Sequence, residues 1–399
     1  MTIRKVGILT AGGLAPCLSS AVATLVEKWD LHDPDVEIIG YRNGFAGLLT
    51  GDSVNIDRAI RRNIHRAHLL GGSPLGNSRV KLANVADCVH RGLVEAGENP
   101  LVVAADQLIA DGIDVLHPIG GDDTAAAAAG LAVHLAARGH ELRVVVLPKT
   151  IDNDIRPIAQ SMGAATAADY GSRFARNVIA EHSASRRSIV IHEVMGRDSG
   201  WLTAATARNY ENWVRDYVGI PGLVDARSWS LHGVLIPEIP FGVEELAESL
   251  APTMDIYGNV NLFVAEGAGA DLVLTERLAR GMEVERDAFG HPRLNDVNVG
   301  QWIADHLAEE LHAEKSLVVK SGYFARSAPA NDEDRALINQ CSTMALRAAV
   351  DGLVGVVGHD EDNAGELGVI EFSRVTGGKT LDISADWVQE LLAGVASNR

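Results

Sequence analysis

The chain has 399 residues, of which 47% are hydrophobic, and its 53 acidic and 35 basic side chains give a formal net charge of −18. It therefore lacks the basic face with which general nucleic-acid binders displace phosphate counterions, and it is too apolar to be a disordered protein. The three cysteines lie far apart without a CxxC pair, which predicts neither a disulfide framework nor a zinc site and favours a cytoplasmic protein. No apolar run approaches the roughly 18 residues of a membrane span, so no membrane partner is expected.

Short apolar runs rich in β-branched residues recur along the chain, each followed by a turn and a helix-period stretch, which is typical of βαβ units. The predicted strands are 6–9, 36–39, 114–119, 144–147, 188–194, 233–237, 261–265 and 317–320. A single barrel would fit this pattern as well. We favour an α/β protein of two doubly wound, mainly parallel-sheet domains with the active site in the cleft between them, because the turns form two chemically different sets. The predicted domains are 1–160 with roughly 327–378, and 161–326 with roughly 379–399.

The first predicted strand ends in Gly12-Gly13, followed by a predicted helix. Two glycines allow the backbone to approach an anion next to the partly positive helix N-terminus, although a structural tight turn explains them equally well. Ser19 and Ser20 are candidate caps of that helix. Near the end of the chain, Gly378-Lys379-Thr380 copies the tail of a Walker loop but lacks its first glycine, so no phosphate loop is predicted there.

A second glycine-rich turn, Gly120-Gly121, is followed by the paired carboxylates of Asp122 and Asp123. Two like charges this close repel each other unless a cation lies between them. Mg²⁺ takes one or two carboxylates together with phosphate oxygens, which predicts a metal and phosphate site. Capping of the following helix would explain only one of the two carboxylates.

The turn Lys149-Thr150-Ile151-Asp152-Asn153-Asp154 combines a cation, a hydroxyl and two carboxylates. In extended backbone Asp152 and Asp154 lie on the same side. A carboxylate there can take the proton of a substrate hydroxyl during phosphoryl transfer, while a lysine neutralises charge on the donor. Ordinary turn chemistry would explain the asparagine and one aspartate, but not Lys149.

In the second half of the chain, polar residues follow three predicted strands: Met195-Gly196-Arg197, Glu266, and Tyr323-Phe324-Ala325-Arg326. Arg197 is suited to hold a phosphate through two parallel hydrogen bonds. Each residue alone is a weak signal, because buried strands often have polar ends. Their recurrence at strand C-termini favours a binding site.

Taken in order, these segments resemble the phosphofructokinase family over nearly the whole chain. The matching segments are Gly12-Gly13, Gly71–Arg79, Gly120–Asp122, Thr150–Asp154, Glu193–Arg197 and Ala265–Gly267. The resemblance implies Mg²⁺ on Asp122 and makes Asp152 the acceptor of the proton from the 1-hydroxyl of fructose 6-phosphate. It also implies a donor and magnesium role for the first domain, a sugar-phosphate role for the second, a place in glycolysis or gluconeogenesis, and a homodimer or homotetramer.

The resemblance further assigns binding residues. Gly12, Gly13, Arg79 and Lys149 would bind the donor diphosphate. The sugar phosphate would be bound by Thr150, Ile151, Asp152, Asp154, Met195, Gly196, Arg197, Glu266, Tyr323, Phe324, Ala325 and Arg326. The arginines with which a neighbouring subunit binds phosphate in this family match poorly, with Arg187 and Lys320 as the nearest basic residues.

Two departures from the family pattern concern the phosphoryl donor. ATP-dependent members have glycine where this chain has Asp123 and Lys149, so the chain resembles the pyrophosphate-dependent branch. An aspartate adds bulk and negative charge where a nucleotide would pass, and a lysine stabilises the leaving phosphate. We therefore expect Asp152, Lys149 and Asp123 to form the catalytic set. The alternatives are an ATP-dependent enzyme and a kinase that prefers sedoheptulose 7-phosphate. A kinase of NAD or lipids, or a non-catalytic sensor, would not explain these residues together.

Overall fold

The structure is a computed structural model that describes residues 3–281 and 297–399. Within these residues the strands, numbered in chain order, are β1 Lys5–Thr10, β2 Glu37–Tyr41, β3 Ser53–Asn55, β4 Val115–Gly120, β5 Arg143–Pro148, β6 Ser188–Val194, β7 Gly233–Leu235, β8 Asn259–Ala265, β9 Lys315–Lys320, β10 Gly355–Asp360 and β11 Glu366–Ile370.

The α-helices of the described residues are α1 Leu18–His32, α2 Phe45–Thr50, α3 Arg58–Asn63, α4 Val85–His90, α5 Pro100–Ala110, α6 Asp122–Ala137, α7 Ala164–Ser183, α8 Trp201–Tyr217, α9 Val243–Tyr257, α10 Ala270–Ala279, α11 Val299–Glu310, α12 Gly322–Arg326, α13 Asp332–Asp351 and α14 Asp386–Ser397. None of the helices in residues 3–281 and 297–399 has both the length and the apolarity that a membrane span needs.

The chain divides into two compact units. Unit 1 comprises the residues up to Thr166 together with Arg326–Lys379, and unit 2 comprises Ala167–Ala325 together with Thr380–Arg399. Each unit is built around its own sheet. The prediction of an α/β fold with two mainly parallel sheets is confirmed.

Unit 1 has a seven-stranded sheet in the order β11-β10-β5-β4-β1-β2-β3. Its inner strands pair in parallel, whereas the edge strands β3 and β11 pair antiparallel with β2 and β10. Val144 and Val146 of β5 share a core with Leu131 of α6, and α13 packs on β5 and on α1. Because β5 is buried on both faces, its sequence is a continuous apolar run, which explains why it was predictable.

Unit 2 has a four-stranded, fully parallel sheet in the order β7-β8-β6-β9. Ile189 and Ile191 of β6 pack in one core cluster, whereas Val190 packs in the other. This alternation places a core on each face of β6. The carboxyl ends of β6, β8 and β9 lie at one edge of this sheet, where α/β proteins bind ligands.

Candidate active site

The first glycine turn lies directly after β1 and is held by the second glycine-rich loop. The amide of Gly12 donates to the Ser78 carbonyl at 2.9 Å, and Asn77 Nδ2 donates to the Gly12 carbonyl at 2.6 Å. Gly12 has a φ of +86°, a conformation that a residue with a side chain adopts only under strain. The turn is therefore a fixed backbone feature at the carboxyl end of a central strand.

The prediction that Ser19 or Ser20 caps the following helix is wrong. Helix α1 begins at Leu18 with Cys17 as its N-cap residue, and no side chain caps it. Both serines are buried inside the first turn. The Ser19 hydroxyl instead donates to the carbonyls of Gly71 and Gly72, at 3.1 and 2.9 Å. This serine ties the helix to the second glycine-rich loop.

Lys149 follows β5 and reaches the first glycine turn. Its side chain is only 3% exposed, and Nζ donates to the Gly13 carbonyl at 2.5 Å. Burial, together with a smaller effect of the Arg79 charge, lowers the pKa of Lys149 to about 8. Nζ lies 3.2 Å from the place where a Cβ on Gly12 would be, and the Arg79 guanidinium lies 3.7 Å from the corresponding place at Gly13. Gly12, Gly13, Arg79 and Lys149, here called the donor cluster, therefore lie together.

The paired carboxylates begin helix α6, whose N-cap residue is Gly121, with no side-chain cap. Capping therefore does not account for either aspartate. Asp123 forms an ion pair with Lys81, with Nζ 2.6 Å from Oδ2. Burial raises the pKa of Asp154, and the negative charge of Asp122 adds to that rise. Asp122 and Asp154, which belong to different turns, are thus close enough for their carboxylates to repel each other.

The acidic residues fit a magnesium ion that is completed by substrate. Within residues 3–281 and 297–399, no group of three His, Cys, Asp or Glu side chains converges in a way that would hold a metal ion. An ion bound at Asp122 would thus take its other ligands from phosphate oxygens and water, which is how Mg²⁺ is usually held.

The turn after Lys149 is shaped by Asn153. This buried residue has a φ of +52°, its Nδ2 donates to the Ala159 carbonyl at 3.0 Å, and its Oδ1 accepts from the Ser161 amide at 2.8 Å. The Thr150 hydroxyl accepts from the Asp152 amide at 3.1 Å, and Ile151 is buried. Asp152 and Asp154 are both half-buried. Asn153 is thus a structural residue of the turn, as ordinary turn chemistry predicts.

In unit 2, the turn after β6 and the end of β8 are joined through their backbones. The Glu266 amide donates to the Val194 carbonyl at 2.9 Å, and the Gly196 amide donates to Glu266 Oε1 at 3.4 Å. Burial raises the pKa of the Glu266 carboxyl. A Cβ on Gly267 would lie 1.8 Å from the Arg197 carbonyl oxygen, so only glycine allows this approach. We call Met195, Gly196, Arg197 and Glu266 the acceptor cluster.

Among the described residues, Arg197 and Gly267 also line a cavity of about 500 Å³, together with Phe241. This volume lies within the range of small-molecule sites. Its wall carries the cation of Arg197 and the carboxylates of Asp198 and Asp271.

The predicted binding residues after β9 form the short helix α12. The Tyr323 side chain is 84% exposed, whereas Ala325 is buried. The Phe324 ring packs against Tyr170 and Phe174 of α7, with ring centroids 5.7 and 5.8 Å apart. Phe324 and Ala325 therefore anchor the helix, whose last residue is Arg326. The binding roles of these four residues stay predictions.

The two basic residues that match the family poorly have partners of their own. Lys320 Nζ lies 2.6 Å from an oxygen of the buried Glu193 carboxylate. Arg187 comes just before β6, where its Nε donates to the His312 carbonyl at 2.9 Å and a terminal nitrogen donates to Asp255 at 3.0 Å. Since Arg187 lies at the opposite end of β6 from Arg197, its contacts stabilise the N-terminal edge of the sheet.

The sequence reasoning missed Lys81, the ion-pair partner of Asp123. Its neighbours Val80 and Leu82 are buried, and Lys81 stands two positions after Arg79. In an extended segment, residues two apart lie on the same side. That spacing is the signal that would have grouped Lys81 with the donor residues.

Known proteins resemble this chain over nearly its whole length. The sequence model of the family Phosphofructokinase matches residues 5–349. The chain is 51% identical over 397 residues to the pyrophosphate–fructose 6-phosphate 1-phosphotransferase of Methylotuvimicrobium alcaliphilum, covering 99% of this chain and 97% of that protein. It is 52% identical over 394 residues to the enzyme of that name from Propionibacterium freudenreichii, covering 98% of each.

The solved structure of a pyrophosphate-dependent phosphofructokinase from Marinobacter aquaeolei matches with a TM-score of 0.73 at 18% identity, over 98% of this chain and 92% of that chain. This likeness supports the fold. The family assignment rests on the sequence comparisons, since relatives at about half identity span nearly the whole chain. The chain belongs to the phosphofructokinase family.

Proposed function

We propose that this chain catalyses reversible phosphoryl transfer from pyrophosphate to the 1-hydroxyl of fructose 6-phosphate, giving fructose 1,6-bisphosphate and phosphate. The observation that carries the donor assignment is Lys149, buried in unit 1 with Nζ on the Gly13 carbonyl. ATP-dependent members of the family have glycine at this position, where this chain has lysine. Two relatives of about half identity are named for the pyrophosphate reaction.

The donor cluster would bind pyrophosphate. The backbone of Gly12 and Gly13 brings N–H groups close to an anion, while Arg79 and Lys149 contribute positive charge. A buried lysine acts in a medium of low dielectric constant, where its attraction for a leaving phosphate is stronger than in water. Asp123, paired with Lys81, would add the negative charge that disfavours a nucleotide.

Mg²⁺ bound at Asp122 would neutralise charge on the transferring phosphoryl group. Asp152 would accept the proton of the 1-hydroxyl as that oxygen attacks the phosphorus. In unit 2, Arg197 and Glu266 would hold the sugar phosphate. The remaining residues of the sugar site would be Thr150, Ile151, Asp154, Met195, Gly196 and Tyr323–Arg326. Transfer of this kind depends mainly on positioning and charge stabilisation.

The assay of the purified protein with each donor tests the proposal. We expect turnover of fructose 6-phosphate with Mg²⁺ and pyrophosphate, and formation of pyrophosphate from fructose 1,6-bisphosphate and phosphate in reverse. Turnover with ATP and none with pyrophosphate would refute the donor assignment. The same assay with sedoheptulose 7-phosphate determines the acceptor, and a higher kcat/KM for that sugar would replace fructose 6-phosphate in the proposal.

We further propose a homodimer or homotetramer in the cytoplasm, with a donor and magnesium role for unit 1 and a sugar-phosphate role for unit 2. The three cysteines, Cys17, Cys88 and Cys341, are free and buried, which fits a reducing compartment. Light scattering of the purified protein tests the oligomeric state, and a monomer at assay concentration would contradict it.

A further inference from the structure

The C-terminal end of unit 1 packs against the acidic turn that follows Lys149. The amide of Arg156 donates to the Thr376 carbonyl at 2.7 Å, and the Thr376 amide donates back to Arg156 at 3.1 Å. The Lys379 amide donates to the Asp154 carbonyl at 3.0 Å. Residues 376–379, here called the C-terminal strap, therefore pair along the backbone of the turn that carries the proposed catalytic base.

The strap contains Gly378 and Lys379, two of the three residues that copy the tail of a Walker loop, but its lysine contacts other groups of the protein. Lys379 Nζ donates to the carbonyls of Ile158 and Ala159, at 2.7 and 3.3 Å, and lies 2.7 Å from Glu361. Its ammonium group is thus engaged with neighbouring residues of unit 1. This agrees with the expectation that no phosphate loop forms here, and it fixes one end of the strap.

Gly377 is the point at which the strap meets the proposed metal ligand. A Cβ on Gly377 would lie 2.3 Å from Asp122 Oδ2 and 2.9 Å from its Cγ. Gly378, the next residue, has a φ of +80°, whereas Gly377 is not among the glycines with a positive φ. The φ of Gly377 thus does not itself require glycine, and lack of space at Asp122 is what requires it.

We propose that Gly377 is a positioning residue for the magnesium-binding carboxylate, because its missing side chain leaves room for the Asp122 rotamer that metal binding uses. The strap would then hold the acidic turn through Thr376 and Lys379 and set Asp122 through Gly377. This inference rests on the proposed function, since it assigns Asp122 to Mg²⁺.

The variant Gly377→Ala tests the proposal, with Gly368→Ala as the matched control. Gly368 lies in β11 of the same unit, has no positive φ, and a Cβ there would meet nothing within 4 Å. We expect Gly377→Ala to raise the Mg²⁺ concentration for half-maximal rate at least about tenfold, an effect of one lost charged interaction. Gly368→Ala should leave it unchanged. An unaltered Mg²⁺ requirement in folded Gly377→Ala would overturn the proposal.

Thermal unfolding tests the proposal without measuring turnover. It compares the effect of Gly377→Ala in a protein that has Asp122 and in one that has Asp122→Ala. With Asp122→Ala, the nearest remaining atom of residue 122 would be its Cβ, at 3.6 Å from the added methyl group, which is an ordinary contact. Gly377→Ala should therefore lower the unfolding temperature in the Asp122 protein and not in the Asp122→Ala protein. An equal decrease in both backgrounds would show a merely structural effect and refute the proposal.

Failure of the proposed function is distinguishable from failure of this inference. If the unmodified protein does not use pyrophosphate, the donor assignment is wrong, and the unfolding cycle still measures the contact between Gly377 and Asp122. If the unmodified protein does use pyrophosphate, calorimetric titration with magnesium pyrophosphate reads the positioning role directly. Equal affinity of the unmodified and Gly377→Ala proteins would contradict it.

Discussion

Replacement of Lys149 by methionine separates the proposed catalytic role of this residue from its effect on stability. Lys149 is buried, and its pKa is lowered from 10.5 to about 8. Only the protonated lysine attracts pyrophosphate. The kcat/KM for pyrophosphate should therefore fall about tenfold per pH unit above a pH of about 8. Methionine has an unbranched side chain of similar length but no charge, so we expect at least ~10²-fold lower turnover.

The lowered pKa of Lys149 also predicts how the stability of the protein depends on pH. The native state holds the lysine proton less tightly than the unfolded chain, so stability rises with pH between about 8 and 10.5. Below that window the buried charge costs about 3 kcal/mol. Lys149→Met removes this cost but leaves the Gly13 carbonyl without its donor, which costs about 1–3 kcal/mol. The two effects oppose each other, so Lys149→Met should unfold at a temperature close to that of the unmodified protein although it is nearly inactive.

The assay is kcat/KM for pyrophosphate from pH 6.5 to 9.5 in both proteins. Titration of pyrophosphate itself affects both profiles alike, so the fall that is specific to Lys149 is the difference between them. Two results would refute the reasoning: the same pH profile for both proteins, or a Met variant with normal turnover. A large loss of stability at neutral pH would show that the hydrogen bond outweighs the desolvation of the charge.

Three further predictions concern other residues of the proposed active site. Asp152→Asn keeps the shape of the side chain and removes the proton acceptor, so single-turnover rates should fall at least ~10²-fold; a normal rate would exclude Asp152 as the base. Asp123→Gly should lower the inhibition constant of ATP competing with pyrophosphate. Lys81→Met leaves the Asp123 carboxylate without this ion-pair partner and should raise that constant about two- to fivefold, because an exposed ion pair contributes about 0.2–1 kcal/mol; a lower inhibition constant in Lys81→Met would contradict the role given to the Asp123 charge. Arg197→Met should raise KM for fructose 6-phosphate about tenfold or more with a smaller change in kcat. An increase in KM for pyrophosphate alone would instead assign Arg197 to the donor site.

The strands that were predictable are those buried on both faces. The predicted strand 188–194 has the bounds of β6, because a parallel strand under two helix layers is a continuous run of apolar residues. Three strands were missed: β3, β10 and β11. β3 has three residues and little burial, β10 ends in Gly358-His359-Asp360, and β11 is an antiparallel edge strand. Edge and polar strands lack the pattern from which a strand is recognised.

The site shows the same division between local and long-range information. Turns that follow strands were predictable, because each carries its chemistry in a few consecutive residues. The partners of these turns were not, because sequence alone does not place Lys81 beside Asp123, or Gly377 beside Asp122, across intervals of tens to hundreds of residues. The wrong cap prediction has the same cause. Serine is a common cap residue, but the hydroxyl of Ser19 donates to the distant carbonyls of Gly71 and Gly72.

The net charge of −18 and two phosphorylated substrates are reconciled by where the charges lie. Repulsion from exposed carboxylates acts through water and is screened within about 8 Å at physiological ionic strength. Lys149 is 3% exposed, so its attraction for a phosphate is screened far less. One buried lysine and the Mg²⁺ proposed at Asp122 would therefore determine anion binding against a much larger opposite charge on the surface. It follows that removing surface carboxylates should change the encounter rate with pyrophosphate and its salt dependence, whereas replacing Lys149, Asp122 or Asp152 should change the chemical step.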